Sequence, residues 1–483
     1  MDLVRSIQNG FNNKNIRFVF FRYFIYVVQF VNSLVIATKL GAFFLGELGF
    51  MMLIVQYLTQ INFGIPNSLN VKLATYEGKN YQQQTIYLGN SIIFTVFHSV
   101  IIIVLATAVS FINVPIFYKY DFYPYIYLVA FIAVAQNLDL LFVYTYRVKN
   151  SLKAITLYQA AAPLSNLVVC FVWSGKELVH ALLLSQLLSN LLSLAVFLYH
   201  SPIKIKLSLK LNIQKELLKT GMALLLYTAS FYFIMIITRT FVSYFFSVRD
   251  LGYFSFALSF AQASFLALDT LSFLLFPKLL NRLKYGGEEL VTKMQYVRSN
   301  YNLIAFLLIF FTVLIFPVIL YFMHGYSISY KPFALLSISL ALLSGNFGIS
   351  TLFISNGKEF LLSMIAFSAF LINFILVWII SAASSEFYML CLAPLITYTI
   401  YSSLLGYFYN VIFLKEKSIT GFFSNVDIRL VFPAILLAVA VMLDNITAQV
   451  VAYLLVVLLN WRRIKGLLPI FNNLINNPSL FKI

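Results

Sequence analysis

The chain has 483 residues, of which 61% are hydrophobic and only 10% charged; 33 Lys and Arg against 16 Asp and Glu leave a net charge of +17. A soluble protein is nearer 45–50% apolar and about 25% charged, so a string of soluble domains is excluded for want of polar residues to cover them. In so apolar a chain, a basic excess points to lysines and arginines flanking membrane spans before it points to a nucleic-acid partner.

A bilayer core about 30 Å thick takes about 20 residues of apolar helix. In chain order, stretches of that kind fall at 18–38, 48–68, 88–113, 123–145, 154–173, 178–199, 221–246, 252–277, 300–323, 332–354, 360–382, 387–410, 430–443 and 446–461. They are numbered here as spans 1 to 14, an all-α integral membrane protein. Residues 1–17 are polar, and the first apolar run ends at Thr38-Lys39 without a small-residue cleavage site, so it reads as a retained span, not a signal peptide. The last two spans are short and separated only by Asp444-Asn445, which leaves open a hairpin of short helices or a re-entrant pair.

The loops between odd and even spans hold few basic residues: Lys39, Lys119, Lys176, Arg249 and Lys331. The remaining loops and both ends hold the rest, apart from Arg22 and Arg239 inside spans; Lys204, Lys206, Lys210, Lys215 and Lys219 fall in one loop alone. By the positive-inside rule the termini and the basic loops face the cytoplasm, and the excess charge is a topology signal. No loop is long enough for a soluble domain. Gly175-Lys176-Glu177 and Gly357-Lys358-Glu359 lack the Ser/Thr and upstream glycine of a phosphate-cradling loop. The four histidines show no metal-ligand spacing, Cys170 and Cys391 read as buried apolar residues, and no cluster of acids, bases and nucleophiles is evident, so neither cofactor nor catalysis is expected.

An internal repeat is visible. Phe43 to Phe50 reads FFLGELGF and Phe246 to Tyr253 reads FSVRDLGY, at an offset of 203. The offset joins two odd-even loops, so the halves run in the same direction through the membrane, one of the known transporter plans. Polar residues line up at helical spacing on the matching spans: Arg22, Tyr26, Gln29 and Ser33 on span 1; Gln56, Gln60, Asn67 and Asn70 on span 2; Thr228, Tyr232, Arg239 and Ser243 on span 7; Ser255, Ser259, Gln262 and Asp269 on span 8. Polar stripes have no place on a lipid-facing surface. Any single member can be interhelical glue; four stripes on corresponding spans favour a shared polar cavity.

Arg239 is 18 residues from Gly221, about 27 Å along a helix, and about 10 Å short of the outer face. That is a long reach for a snorkelling side chain, so it is expected to face an anion in the cavity, with a structural ion pair as the alternative. Arg22 lies about one turn beyond Arg17 and can snorkel. Asp139 shares its level and is expected to pair with it. Asp269 has no evident partner at its depth; a proton or sodium ion could couple there, or the carboxylate could serve as a structural or helix-capping group.

The chain resembles the polysaccharide flippases of the Wzx type, in a superfamily that also holds multidrug antiporters and the lipid II flippase. The resemblance rests on size, span count and two patterns: Gly46-Glu47-Leu48-Gly49-Phe50 followed by Phe63-Gly64, and Asp250-Leu251-Gly252-Tyr253 with Phe276-Pro277-Lys278-Leu279 closing span 8. It implies two parallel six-helix lobes around a central cavity, residues 1–200 and 221–410, joined by a cytoplasmic linker at 201–220, with residues 411–483 as an added helix pair and tail. It also implies transport of a polyprenyl-diphosphate-linked oligosaccharide from the cytoplasmic to the outer leaflet of a bacterial inner membrane, alongside polysaccharide polymerase and chain-length proteins. Arg22, Arg239 and Lys39 would meet the diphosphate; Gln29, Gln56, Gln60, Asn67, Tyr232 and Gln262 would line the cavity; Asp139 and Asp269 would couple an ion or gate. A cation-coupled drug exporter, a lipid II flippase and a membrane-embedded glycosyltransferase or polymerase are the alternatives. The last usually carries a large outer loop, which this chain lacks.

The expected Arg22–Asp139 pair makes a prediction. Neutralising both residues together should impair transport less than neutralising either one, measured by complementation at matched protein levels; additive damage would refute the pairing.

Overall fold

The computed structural model describes residues 14–283, 288–415, 422 and 426–476. Among them the chain is helical, with no strand, and ten helices are long and apolar enough to cross a membrane. In chain order the helices are α1 (Lys14–Gln60), α2 (Ile65–Thr75), α3 (Tyr81–Ser110), α4 (Pro115–Lys119), α5 (Ile126–Val148), α6 (Leu152–Val172), α7 (Gly175–Tyr199), α8 (Leu211–Phe245), α9 (Val248–Leu283), α10 (Glu288–Phe322), α11 (Tyr330–Ser344), α12 (Ile349–Ser355), α13 (Glu359–Ala383), α14 (Leu392–Tyr409), α15 (Ile428–Met442) and α16 (Ile446–Asn476). Each of the fourteen apolar stretches falls on one or more of these.

The boundaries differ from the sequence reading in four places. Spans 1 and 2 are separated where expected, between residues 38 and 48, but by a single-residue break instead of a loop: α1 is two helices joined at Gly41, with φ 65° and ψ 173°, a conformation essentially confined to glycine. The helix resumes directly after it. Span 2 was expected to run to residue 68, but α1 ends at Gln60. Phe63 and Gly64 take left-handed φ values of 54° and 69°, and the Asn62 side chain accepts from the Gly64 N–H at 3.0 Å. Pro66 then sits in the first turn of α2, where its missing N–H costs nothing. Span 10 is likewise divided, α12 restarting after Gly348 at φ 77°. The final helix α16 is longer than expected, 31 residues, and Asn445 caps it by accepting from the Ala448 N–H.

The chain forms two compact units. One is Phe24–Phe256. Within it α5 is central, packed on α2, α3 and α7; α6 lies on α7, and α8 lies on α2 and α3. Ile65, Leu69, Leu73, Tyr87, Leu88, Leu141, Ile203 and Leu217 form a buried cluster where α2, α3, α5 and the start of α8 meet. Span 7 thus belongs to the same compact unit as spans 2 to 6, although the 201–220 linker precedes it. The other unit is Met1–Tyr23 with Ala257–Ile483. There α11 packs on α10, α14 and α15, with α13 on α14 and α16 on α15, and Phe316 stacks on Phe333 at 3.7 Å. Cys170 and Cys391 are free and buried.

An ion pair fastens α8 to α2. Lys72 bonds to Glu216, which also accepts from the Tyr87 hydroxyl at 2.6 Å. These two donors hold the Glu216 carboxyl below its ordinary value near 4.5, the Lys72 bond being the larger cause. A depressed folded value stabilises the fold fully above the unfolded value and less as pH falls through the folded one. Thermal unfolding in detergent should therefore show a midpoint that drops below about pH 4.5 and a flatter profile for Glu216→Gln; parallel profiles would rule the contribution out.

Candidate functional site

The four polar stripes can be followed residue by residue. Those of spans 2 and 7 meet inside the unit Phe24–Phe256. The Tyr57 and Thr240 hydroxyls are 2.7 Å apart, Asn67 donates to the Thr228 hydroxyl at 3.2 Å, and Tyr144 donates to Asn67 at 3.2 Å. Arg239 is 6% exposed. One terminal nitrogen donates to the Gly49 carbonyl at 2.5 Å and to Ser255 at 3.3 Å, and the other reaches Gln56 at 3.5 Å. Its Nε is buried with no hydrogen-bond partner. Among the described residues no carboxylate pairs with it, so the guanidinium charge is met by dipoles alone.

The repeated segments explain how Arg239 comes to lie there. They pack on each other through their glycines. A β-carbon on Gly46 would lie 1.9 Å from the Val248 carbonyl oxygen, and one on Gly252 would lie 1.8 Å from that of Ala42. At Gly49 a β-carbon would meet the Ser255 hydroxyl at 2.6 Å and the Arg239 guanidinium at 3.2 Å. The acidic residue of the second segment has a local role: Asp250 accepts from the Ser247 N–H and hydroxyl at 3.0 and 2.7 Å while the Ser247 hydroxyl accepts from the Asp250 N–H, a reciprocal cap that starts α9.

The loop between spans 3 and 4 completes this end of the unit, the end expected to face outward. Lys119 donates to the carbonyls of Ser243, Tyr244 and Phe246, and the Tyr120 hydroxyl donates to that of Ser243 at 2.8 Å. An ammonium on the last carbonyls of α8 satisfies acceptors the helix cannot and complements its dipole. Phe50 of the first repeat stacks on Tyr120 at 4.3 Å. Lys119 and Tyr120 were not read from the sequence as site residues. The signal available was the aromatic density of residues 117–125, FYKYDFYPY.

The other expected residues are dispersed. Gln29, Gln56, Gln60 and Asn67 are half-buried, and Lys39 and Gln262 are exposed. Tyr232 is 59% exposed, although it shares a stripe with buried Arg239. Arg22 is buried and, like Gln262, belongs to the other compact unit. Asp139 is wholly buried on α5, and neither carboxylate oxygen has a hydrogen-bond partner. The side chain of Asp269 lies outside the described residues. Among the described residues no group of His, Cys, Asp and Glu could hold a metal.

A family described as "Polysaccharide biosynthesis protein" matches residues 45–327, which takes in most of the first repeated segment, all of the second, and the stripes of spans 2, 7 and 8. The chain belongs to this family. Solved structures of transporters share the fold. A MOP superfamily transporter from Pyrococcus furiosus superposes with a TM-score of 0.62 at 14% identity, covering 83% of this chain and 96% of that one. A multidrug resistance MATE family transporter of the MOP superfamily, in an inward-facing conformation, gives 0.61 at 13%, covering 79% and 95%. A MATE transporter in a bent conformation gives 0.58 at 14%, covering 83% and 95%. No curated protein sequence matches. This family member is therefore a multi-pass membrane protein with a transporter fold, and the Wzx-type resemblance agrees with both comparisons.

The glycine contacts make a prediction for this member. Gly252→Ala must move the α9 backbone away from Ala42, because a carbonyl oxygen at 1.8 Å cannot give way as a side chain could. With Cys170 and Cys391 replaced by Ala, a single cysteine placed by Ser255→Cys should then label faster with a membrane-impermeant maleimide, by about tenfold, an estimate of roughly 1.4 kcal/mol in opening. Gly325→Ala, with nothing within 4 Å, serves as control. Equal labelling in all three proteins would disprove the role given to Gly252.

Proposed function

We propose that the protein carries a short oligosaccharide, joined through a diphosphate to a polyprenyl lipid, from the cytoplasmic to the outer leaflet of the bacterial cytoplasmic membrane. Both termini lie in the cytoplasm, and the route is alternating access. The observation that carries this reading is the conjunction of a polysaccharide-biosynthesis family with a transporter fold. A pathway that builds sugar polymers and includes a transporter has a polar intermediate to move through hydrocarbon, and a lipid anchor leaves only its polar head to be shielded.

The head needs cations in a low-dielectric setting, where a guanidinium makes strong, directional hydrogen bonds to phosphate oxygens. Arg22, Arg239 and Lys39 are the groups proposed for it, and Gln29, Gln56, Gln60, Asn67, Tyr232 and Gln262 for the sugars. The state described suggests how Arg239 works. Its terminal nitrogens are occupied by Gly49, Ser255 and Gln56. A diphosphate oxygen and the Gly49 carbonyl would compete for the same donors, so binding of the head loosens the joint between spans 2 and 7. Asp139, buried with no donor to its oxygens, is costly as an anion. It is proposed with Asp269 as a place where a proton or sodium ion enters the cycle.

Deleting the gene should abolish surface polysaccharide and leave lipid-linked repeat units in the cytoplasmic leaflet. Normal polysaccharide with altered drug tolerance would instead indicate a multidrug exporter. Arg239→Ala should fail to complement at normal protein level, and full complementation would remove Arg239 from the site.

A further inference from the structure

The connection between α7 and α8 is the most basic stretch of the chain. It reads Lys204-Ile205-Lys206-Leu207-Ser208-Leu209-Lys210, and Lys215 and Lys219 follow on α8. Residues 204–210 form neither helix nor strand, yet their backbone is held in place. Ile203 before them and Leu217 after them are both buried in the cluster with Leu69, Leu73 and Leu88. Between these anchors the Lys204 N–H donates to the Tyr81 hydroxyl at 2.9 Å, and the Lys210 N–H donates to the Asn90 side chain at 2.9 Å. Gln214 donates to the Asn90 carbonyl at 2.8 Å. The Lys206 carbonyl lies against Gly89, so close that a β-carbon there would be 2.1 Å away.

The side chains are left outside. Lys204, Lys206, Lys210, Lys215 and Lys219 are all exposed. So are the apolar residues between them: Leu207 is 63% exposed, Leu209 65% and Leu211 69%. Lysines stand at even positions and Ile or Leu at odd ones, an alternation that in an extended chain sends the two kinds to opposite sides. The one acid within residues 204–219, Glu216, is already bonded to Lys72 and Tyr87.

We propose that this strap is a docking surface for the anionic headgroups of membrane phospholipid, with its lysines against phosphates and Leu207, Leu209 and Leu211 in the acyl region. Exposed leucines on a pinned backbone are unfavourable in water and favourable at the acyl boundary, and lysines beside them fix the depth at the headgroups. A cluster of four or more lysines next to a span is the usual electrostatic signature of anionic lipid. Because backbone contacts fix the strap beforehand, little ordering is lost on binding. The inference is independent of the cargo.

The test uses the full chain in nanodiscs of phosphatidylcholine with increasing phosphatidylglycerol. The thermal midpoint of the native protein should rise with phosphatidylglycerol, and the rise should shrink at high salt. The triple variant K204Q/K206Q/K210Q keeps the backbone contacts and should match the native midpoint in pure phosphatidylcholine. Its preference for phosphatidylglycerol should fall by about tenfold or more. In a second measurement, the added fluorescence of L207W should be quenched by brominated phosphatidylglycerol and spared by aqueous iodide. An unchanged preference in the triple variant, no preference in the native protein, or iodide quenching of L207W would each overturn the proposal. So would equal stabilisation by inorganic diphosphate in detergent, which would point to a soluble anion instead.

Discussion

Backbone-to-backbone contact at a few glycines governs how the two repeated segments, and spans 2 and 7, meet. Gly46 lies on the Val248 carbonyl, Gly252 on that of Ala42, and Gly64 on that of Gly221, each too close for a β-carbon. In hydrocarbon there is no water to expel from between helices, so association depends on dispersion contacts and hydrogen bonds that such close approach permits. The first two contacts bring the two repeated segments together, a glycine of each lying on backbone at or beside the other. Arg239 reaches the Gly49 carbonyl because no side chain stands in the way.

The polar stripes gain a physical account from this geometry. Between spans 2 and 7 the stripes are joined by Asn67 to Thr228, with Tyr57 and Thr240 bonded beside them, so part of the pattern serves to hold helices together. A hydrogen bond exchanged within the protein contributes only about 0.5–1.5 kcal/mol net, small enough to be broken and remade during a transport cycle. Arg239 differs in kind. A buried guanidinium met only by dipoles is costly, and an anionic ligand would repay that cost better than a carbonyl can.

Much of this was legible because lipid imposes simple rules on sequence. Span positions followed from the length of apolar runs, and every one falls on helix. Asp250 shows what such reading leaves open: as part of a repeated motif it marked the repeat, and its local role is a capping box with Ser247. Lys119 and Tyr120 were passed over because a short loop gives no period to read, and their partners, the carbonyls closing α8, are more than 120 residues away. The break at Gly64 was missed for a different reason, whereas Gly41 falls in the gap between spans 1 and 2. Hydropathy averages over a window, and a single residue in a left-handed or fully extended conformation leaves the average unchanged.

The sequence by itself determined that this is a multi-span helical membrane protein with a repeated segment and polar residues on matching spans. Those properties follow from composition, period and charge placement, which a bilayer reads locally. Only the tertiary structure decided that Arg239 is held by Gly49, Gln56 and Ser255, that Lys119 and Tyr120 close α8, and that the compact unit ends at Phe256, after span 7. These depend on which helix faces which. Helix orientation is set by sub-ångström fit between backbones, and a linear pattern of apolar and polar residues does not contain it.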